Sequence, residues 1–450
     1  MTEGLQNSTK TLRKLTKLSI KDPTQILHGN SQTNWDIFCN YRKCHSKLLR
    51  QTKREYYNEC FNKIKHSPKK MWEEINKIIK TKNVDTSISQ IKVNGKMITD
   101  PKEISDGFNS FYAGVGKMQA ETVPATDVDP MKFLRGQPPD SMFLHPCTQE
   151  EISKAVKALA KKKSKGPDSI PCNVLFANVD HIIQPLIHCI NASFVTGIFP
   201  DCLKTALVIP LYKKKNRAEC TNYRPVSLLN SLSKIIEKVL YLRIYSYMGD
   251  KLCPTQYGFR PGHSTSDLMT FTMETIVRNL NSTSNALPLF FDLGKAFDTL
   301  KHDLLLKKLE HYGIRGTPLA LIKSYLSNRK QKVMVDGVES DYLPLEIGVP
   351  QGSILGPLLF IIYVNDITTA APTEQVALYA DDTTCITGAM TIYETIDKAK
   401  YALDNLGNWF AANGLSLSPT KCKFALINEK LETSEVKATL SIYGQNLSEV

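Results

Sequence analysis

Two apolar runs of strand length in this chain end in acid. LPLFF closes on Asp292, and VALYA closes on the adjacent pair Asp381 and Asp382. Like charges side by side repel, and near a core each carboxylate also carries a desolvation penalty. A fold that accepts these runs as buried strands must therefore turn the acids to water or supply countercharge. An Asp-Asp pair is most often a solvated turn, here the tip of a hairpin with arms Gln375–Tyr379 and Thr383–Ile386. Asp292 alone reads equally well as the N-cap of a following helix. Three acids at the ends of two strands change the weighing. If the strands are neighbours the acids converge, and two divalent cations about 3.5–4 Å apart would cancel the repulsion. Mg²⁺ suits such a site, because it takes hard oxygen ligands and usually only one or two carboxylates. One cation would lower the pKa of an attacking hydroxyl while the other stabilised a leaving pyrophosphate, which is in-line displacement at a phosphate.

The charge balance points the same way. The 450 residues carry a net charge of +13, and the surplus is concentrated. Thirteen Lys and Arg against four Glu and no Asp lie between residues 41 and 83. Such a segment suits a polyanionic partner. The eleven cysteines form no C-x-x-C pair or zinc-finger spacing, as expected of reduced thiols in an intracellular protein. The start, MTEGLQNSTK, lacks a signal-peptide core, and the longest apolar run, LLFIIYV at 358–364, is too short to span a bilayer. Neither a membrane segment nor secretion is expected.

Residues 1–34 are polar and aperiodic, and are expected to be flexible. A basic helical region follows over 35–120. It holds a helix with a basic face from Trp35 to about Ile64, a second opening at Ser67-Pro68, a hairpin around Asn94-Gly95 and a third helix from Pro101. Residues 121–147, rich in Pro, Asp and Thr, read as a linker. Thr148 and Glu151 fit a capping box for a helix to about Lys162. Beyond Gly166 helices and strands mix. KTALVIPLY (204–212) and ALPLFFDL (286–293) are buried-strand candidates, residues 297–313 a helix ending at Gly313, and QKVMVDGVES a hairpin turning at Asp336-Gly337. The pattern is α+β rather than a regular βαβ alternation.

From Thr148 onward the chain resembles, in order and spacing, the reverse transcriptase of non-LTR (LINE-type) retrotransposons. The resemblance rests on KKKSKGPDSIP, IPLYKKK, NYRPVSLLN, QYGFRPGHST, FFDLGKAFD, GVPQGSILGPLLFIIYVND, YADD and NGLSLSPTKCK. It implies the fingers and palm of a right-hand polymerase over 148–450. The implied activity is RNA-directed DNA synthesis, adding dNTPs to a DNA primer on an RNA template with two Mg²⁺ ions, Mn²⁺ being an alternative. Asp292 and Asp381 would be the principal metal ligands, with Asp382 completing the cluster and the Leu293 carbonyl assisting. Phe297 falls where the family has an aromatic under the sugar of the incoming nucleotide, against a plain core role. Arg224 and Lys214 would bind triphosphate oxygens, a task for which Arg is apt. Gln351 and Gly352 would lie against nucleotide and template. Lys421 would be the general acid for pyrophosphate, or simply a surface lysine. Arg260 would shape a loop at the template or serve structure alone. Asp298 and His302 match the family and read as structural. Family members act at chromosomal DNA, so nucleus and cytoplasm are the implied compartments, and nothing in the sequence suggests an oligomer.

The chain departs from the family at Gly294, often a small polar residue, and at Ser418, often Asn. The primer-gripping hairpin and helical thumb would be expected after IYGQNLSEV, so a fingers-and-palm portion without a thumb is expected. An RNA-dependent RNA polymerase is disfavoured by Phe297, where a polar reader of the 2′-hydroxyl would stand, and by GVPQGS, which lacks the expected Asn. A group-II-intron maturase fits the N-terminal segment poorly. The rival of another class is a catalytically silent RNA-binding remnant.

Overall fold

In the computed structural model the described residues are 3–20, 30–79, 87–93, 95–136, 140–159, 164–428 and 439–449. The chain divides into two compact units, Met1–Thr86 and Ser87–Val450.

The first unit contains α1 (Glu3–Ile20), α2 (Asn30–Ile64) and α3 (Pro68–Ile79). The expectation of a flexible start is corrected over Glu3–Ile20, which is helical and packs against α2. Leu5 and Phe38 are buried. Ser8 Oγ and His45 Nδ1 share a hydrogen bond of 2.8 Å, and the Tyr41 hydroxyl donates to Ser8 Oγ at 3.1 Å. The helical period is there in the sequence, in Leu5, Leu12 and Leu15 at i, i+7 and i+10 among polar residues. On α2, Arg42, Lys43, Lys47 and Arg50 are exposed and line one shallow groove.

The second unit mixes helices and strands. Its strands are β1 (Ile91–Val93), β2 (Lys96–Ile98), β3 (Thr205–Tyr212), β4 (Tyr223–Leu229), β5 (Asn285–Phe291), β6 (Arg329–Val335), β7 (Val338–Glu339), β8 (Leu343–Leu345), β9 (Gln375–Tyr379), β10 (Asp382–Thr387) and β11 (Lys423–Phe424), followed by short pairings near the C-terminus. Its helices are α4 (Pro101–Glu121), α5 (Gln149–Leu159), α6 (Cys172–Ala177), α7 (Val179–Thr196), α8 (Ser231–Met248), α9 (Thr265–Thr283), α10 (His302–His311), α11 (Gly316–Leu326), α12 (Leu355–Tyr363) and α13 (Ile392–Ala412).

One sheet has the order β4-β3-β6-β7, with β8 also on β6; β3 is antiparallel to β4 and parallel to β6. The other contains β11-β5-β10-β9, each of these pairs antiparallel, with residues 448–449 added in parallel on β11 and residues 427–428 paired to β5. β5 is central and buried along nearly its whole length, which is why it reads as an unbroken apolar run rather than an alternating one. α13 begins at a capping box between Thr391 and Glu394 and buries Ile396, Leu403, Leu406 and Phe410, packing on β5 and β10. The expected strands are present, as is the turn at Asp336-Gly337, whose two residues both have positive φ.

Several boundaries move. Residues 87–120 belong with the second unit rather than with the basic helices. Asp100 caps α4 by accepting from the Lys102 and Glu103 amides at 2.9 Å each. α4 then buries Ile104, Phe108 and Tyr112 in one cluster with Val208 of β3 and Val333 and Val335 of β6. The apolar spacing announces a helix; only the tertiary packing says which sheet it covers. The segment read as a linker over 121–147 is packed where it is described. Met142 and Cys147 are buried, the Met142 amide donates to the Gly313 carbonyl at 2.9 Å, and Thr369 Oγ1 donates to the Phe133 carbonyl at 2.7 Å. Proline removes ladder donors and Asp is disfavoured in strands, but neither prevents burial.

Only half of the capping box at Thr148 forms. Thr148 accepts from the Glu151 amide at 3.3 Å, while the Glu151 carboxylate pairs with Arg243 at 2.7 Å. The expected helix end near Lys162 and the turn residue Asn94 lie outside the described residues. Helix α10 starts at His302, not Phe297, and stops before Gly313, whose φ is +94°. The eleven cysteines are unpaired. No helix among the described residues is long and apolar enough to cross a membrane.

Candidate active site

The register of β5 against β10 brings the acids together. Phe291 stands opposite Thr383, so one step further Asp292 comes level with Asp382. Tyr379 pairs with Asp382 across the hairpin, which leaves Ala380 and Asp381 as a two-residue turn. Asp292 caps no helix. Its carbonyl accepts from the Ser418 amide at 2.9 Å, and the Gly294 amide donates to the Ser416 carbonyl at 2.8 Å. These two bonds flank the bridge between Leu293 and Leu417 and leave the Leu293 carbonyl out of that pairing.

The electrostatics of the turn are those of crowded acids. Burial pushes the Asp381 carboxyl up, with Asp292 adding to the rise, while Arg224 and Lys421 oppose it. Burial also raises Asp382, with Asp381 and Asp292 adding to it and Lys421 opposing. Lys421 Nζ donates to Asp292 Oδ1 at 2.8 Å, both side chains being partly exposed. The loop holding Lys421 is fixed through the backbone of Ser418, whose carbonyl accepts from the Lys421 amide at 2.8 Å. The loop is held at this position by backbone bonds, which do not depend on the side chain.

Carboxylate oxygens are the right donors for Mg²⁺, and the lysine on Asp292 shows that a cation already satisfies one of them. Among the described residues, however, no group of three or more His, Cys, Asp or Glu side chains closes into a ready-made cage.

Other expected site residues take unexpected partners. Gln351 Nε2 donates to both carboxylate oxygens of Asp298, at 3.0 and 2.9 Å. Burial pushes the Asp298 carboxyl up to about 6 against the opposing effects of Gln351 and Lys295. Asp298, read as structural, thus fixes the amide of Gln351. Gly352 has φ +134°, and a Cβ there would lie 2.4 Å from the Ser227 carbonyl oxygen. The close approach that requires glycine is to β4. Phe297 is half-buried, stacked on Phe360 with centroids 5.0 Å apart and edge-on to Phe259 at 5.9 Å.

Arg224 is exposed on β4 and reaches Asp381 electrostatically. Lys214 and its neighbour Lys213 are both exposed, and Lys213, like Lys421, answers to Asp292. Burial lowers the Lys213 pKa, with Arg224, Lys421 and Lys214 adding to the fall and Asp292 opposing it. The β3–β4 register accounts for Lys213: Leu211 stands opposite Arg224, so Lys213, two residues on, shares that face. Lys295 was also missed. It lies within the same cation cluster, with its pKa lowered by burial. Arg260 Nη1 donates to the Cys253 carbonyl at 2.8 Å and the Gln256 carbonyl at 3.3 Å, so of the two roles expected of it, the structure supplies partners for the structural one, the stitching of its own loop.

The comparisons with known proteins bear on the same region. Residues 212–443 match the profile of the family described as "Reverse transcriptase (RNA-dependent DNA polymerase)". The "RNA-directed DNA polymerase from mobile element jockey" of Drosophila melanogaster is 31% identical over 292 residues, covering 63% of this chain and 32% of the relative. The "Probable RNA-directed DNA polymerase from transposon BS" of the same organism is 31% identical over 62% of this chain and 32% of the relative. The "Putative 115 kDa protein in type-1 retrotransposable element R1DM", also of D. melanogaster, is 25% identical over 84% of this chain and 35% of the relative. The chain spans about a third of the length of these relatives. With the family profile covering more than half of the chain and the acids brought level by the strands it spans, the chain belongs to the reverse transcriptase (RNA-dependent DNA polymerase) family.

Proposed function

We propose that this chain carries the polymerising centre of a non-LTR retrotransposon, extending a DNA primer on an RNA template with dNTPs. The observation that carries the reading is the placement of Asp292, Asp381 and Asp382 at the ends of neighbouring strands, with Arg224, Lys213 and Lys421 within electrostatic reach. The β3–β8 sheet with α4 corresponds to fingers and the β5–β10 sheet to a palm.

Asp292, Asp381 and Asp382 would hold two Mg²⁺ ions, with the Leu293 carbonyl available beside them. Bound there, the ions supply charge stabilisation at both the attacking and the leaving oxygen. Arg224, with Lys213 rather than Lys214 beside it, would hold triphosphate oxygens. Lys421, once released from Asp292, would stand within the site to protonate the leaving pyrophosphate. Phe297 would lie beneath the sugar. Gln351, held by Asp298 through Nε2, would present its Oε1 as an acceptor. The groove of Arg42, Lys43, Lys47 and Arg50 on α2 would bind RNA phosphates.

The test is primer extension on an RNA template with Mg²⁺, comparing dNTPs with rNTPs, for the wild type and Asp381→Asn. Extension with dNTPs that Asp381→Asn abolishes is expected. Retained extension in that variant would sink the assignment.

A further inference from the structure

The turn that carries Asp381 is not relaxed. Ala380 has φ +60°. In a two-residue hairpin turn with positive φ at its first central position, that place normally belongs to glycine. An L-residue stays there only when the surroundings over-determine it.

The surroundings are on the free edge of β9. The Leu378 amide donates to the Thr255 carbonyl at 2.9 Å, and the Tyr257 amide donates to the Leu378 carbonyl at 2.8 Å. Thr255–Tyr257 therefore runs along β9 as an extra edge segment, with Gln256 bridged to Leu378. Gln256 is 2% exposed, and its Oε1 accepts twice, from the Gly258 amide at 2.8 Å and from the Ala380 amide at 3.0 Å. Gly258 closes the approach, since a Cβ there would lie 2.1 Å from the Ala380 nitrogen. One amide oxygen thus ties the QYGF segment to the strained residue preceding Asp381.

We infer that Gln256 is a positioning residue for the carboxylate cluster, holding Ala380 at positive φ so that Asp381 projects toward Asp292 and Asp382. The inference rests on the proposed metal-binding role of those acids. The residue type fits the task. The clamp needs an acceptor long enough to reach two amides. Glutamate would add a fourth negative charge beside three that already repel.

Three measurements on the full chain test this: amide hydrogen–deuterium exchange, Mn²⁺ binding followed by the decrease of the free-ion EPR signal, and thermal melting. Gln256→Met keeps the length and removes the acceptor; Gln256→Asn keeps the amide but falls one methylene short, and serves if the first variant does not fold. Either should raise exchange in the 377–386 segment selectively. Either should also weaken Mn²⁺ binding by roughly tenfold, the scale of removing an outer-sphere support. Gln256→Glu should retain the protection of the turn. A purely structural role predicts instead increased exchange throughout the second unit with unchanged Mn²⁺ affinity, and that result overturns the inference. Asp381→Asn separates the two levels. If it leaves Mn²⁺ binding unaltered, the metal role itself fails and Gln256 falls with it; if it abolishes binding while the Gln256 variants bind as wild type does, only the positioning role fails.

Discussion

Phe297 is the residue on which two accounts of this site diverge in a measurable way. Its ring is half-buried, stacked on the fully buried Phe360 and edge-on to Phe259. A fully buried Phe→Ala change costs about 3–5 kcal/mol. Phe297 keeps a wet side but takes part in two ring pairs, so roughly 2–3 kcal/mol is expected for Phe297→Ala and less for Phe297→Val. If the exposed side also lies beneath the sugar, the ring fills the volume a 2′-hydroxyl needs and leaves that hydroxyl without a partner. That penalty is about 1–3 kcal/mol, or roughly 5- to 150-fold in discrimination. The assay is the ratio of rNTP to dNTP incorporation on one template, measured with thermal melting. Phe297→Val should shift the ratio toward ribonucleotides by an amount in that range while dNTP use changes little. A folded Phe297→Val protein with the wild-type ratio would refute the gate and leave Phe297 a packing residue.

Other consequences can be checked separately. Asp381→Asn should abolish incorporation yet raise the melting temperature without divalent cations, because it removes one charge from a cluster in which burial and repulsion already disfavour ionisation; a lower melting temperature would contradict the crowding. Asp298 has a folded pKa of about 6 against an ordinary 3.8. The folded state therefore binds the proton more tightly, and stability should fall as pH rises between those values, by up to about 3 kcal/mol. Denaturant unfolding of Asp298→Asn should lack that fall, and an identical pH profile would count against the buried carboxyl. Lys308 and Asp366 form a fully buried pair at 2.8 Å, so Asp366→Asn should cost about 3–5 kcal/mol by leaving the buried ammonium without a countercharge, read by urea unfolding. Replacing Arg42, Lys43, Lys47 and Arg50 together by Gln should flatten the salt dependence of single-stranded RNA binding, by about 0.7 in log–log slope for each phosphate no longer neutralised; an unchanged slope would make this face merely solvated.

What the sequence determines here is local. An apolar run ending in Asp292, the pair at Asp381-Asp382, the Asp336-Gly337 hairpin and the helices opening at Pro68 and Pro101 follow from period, turn chemistry and fixed proline dihedrals. Each is decided within a few residues. The placement of three acids on two strands also made their convergence an inference worth drawing, since strands of one sheet have few ways to pair. What the tertiary structure alone decided is which surfaces meet. α4 covers the β3–β6 face instead of joining the basic helices, and the segment around Met142 is packed instead of spanning between domains. Gln351 turns to Asp298, Lys421 to Asp292 and Arg260 to its own loop. A long polar side chain has several partners of the same chemistry within reach of its flexible stem. Its choice among them depends on distances of a few ångströms, often set by elements far away in the chain, and periodicity carries no information at that range.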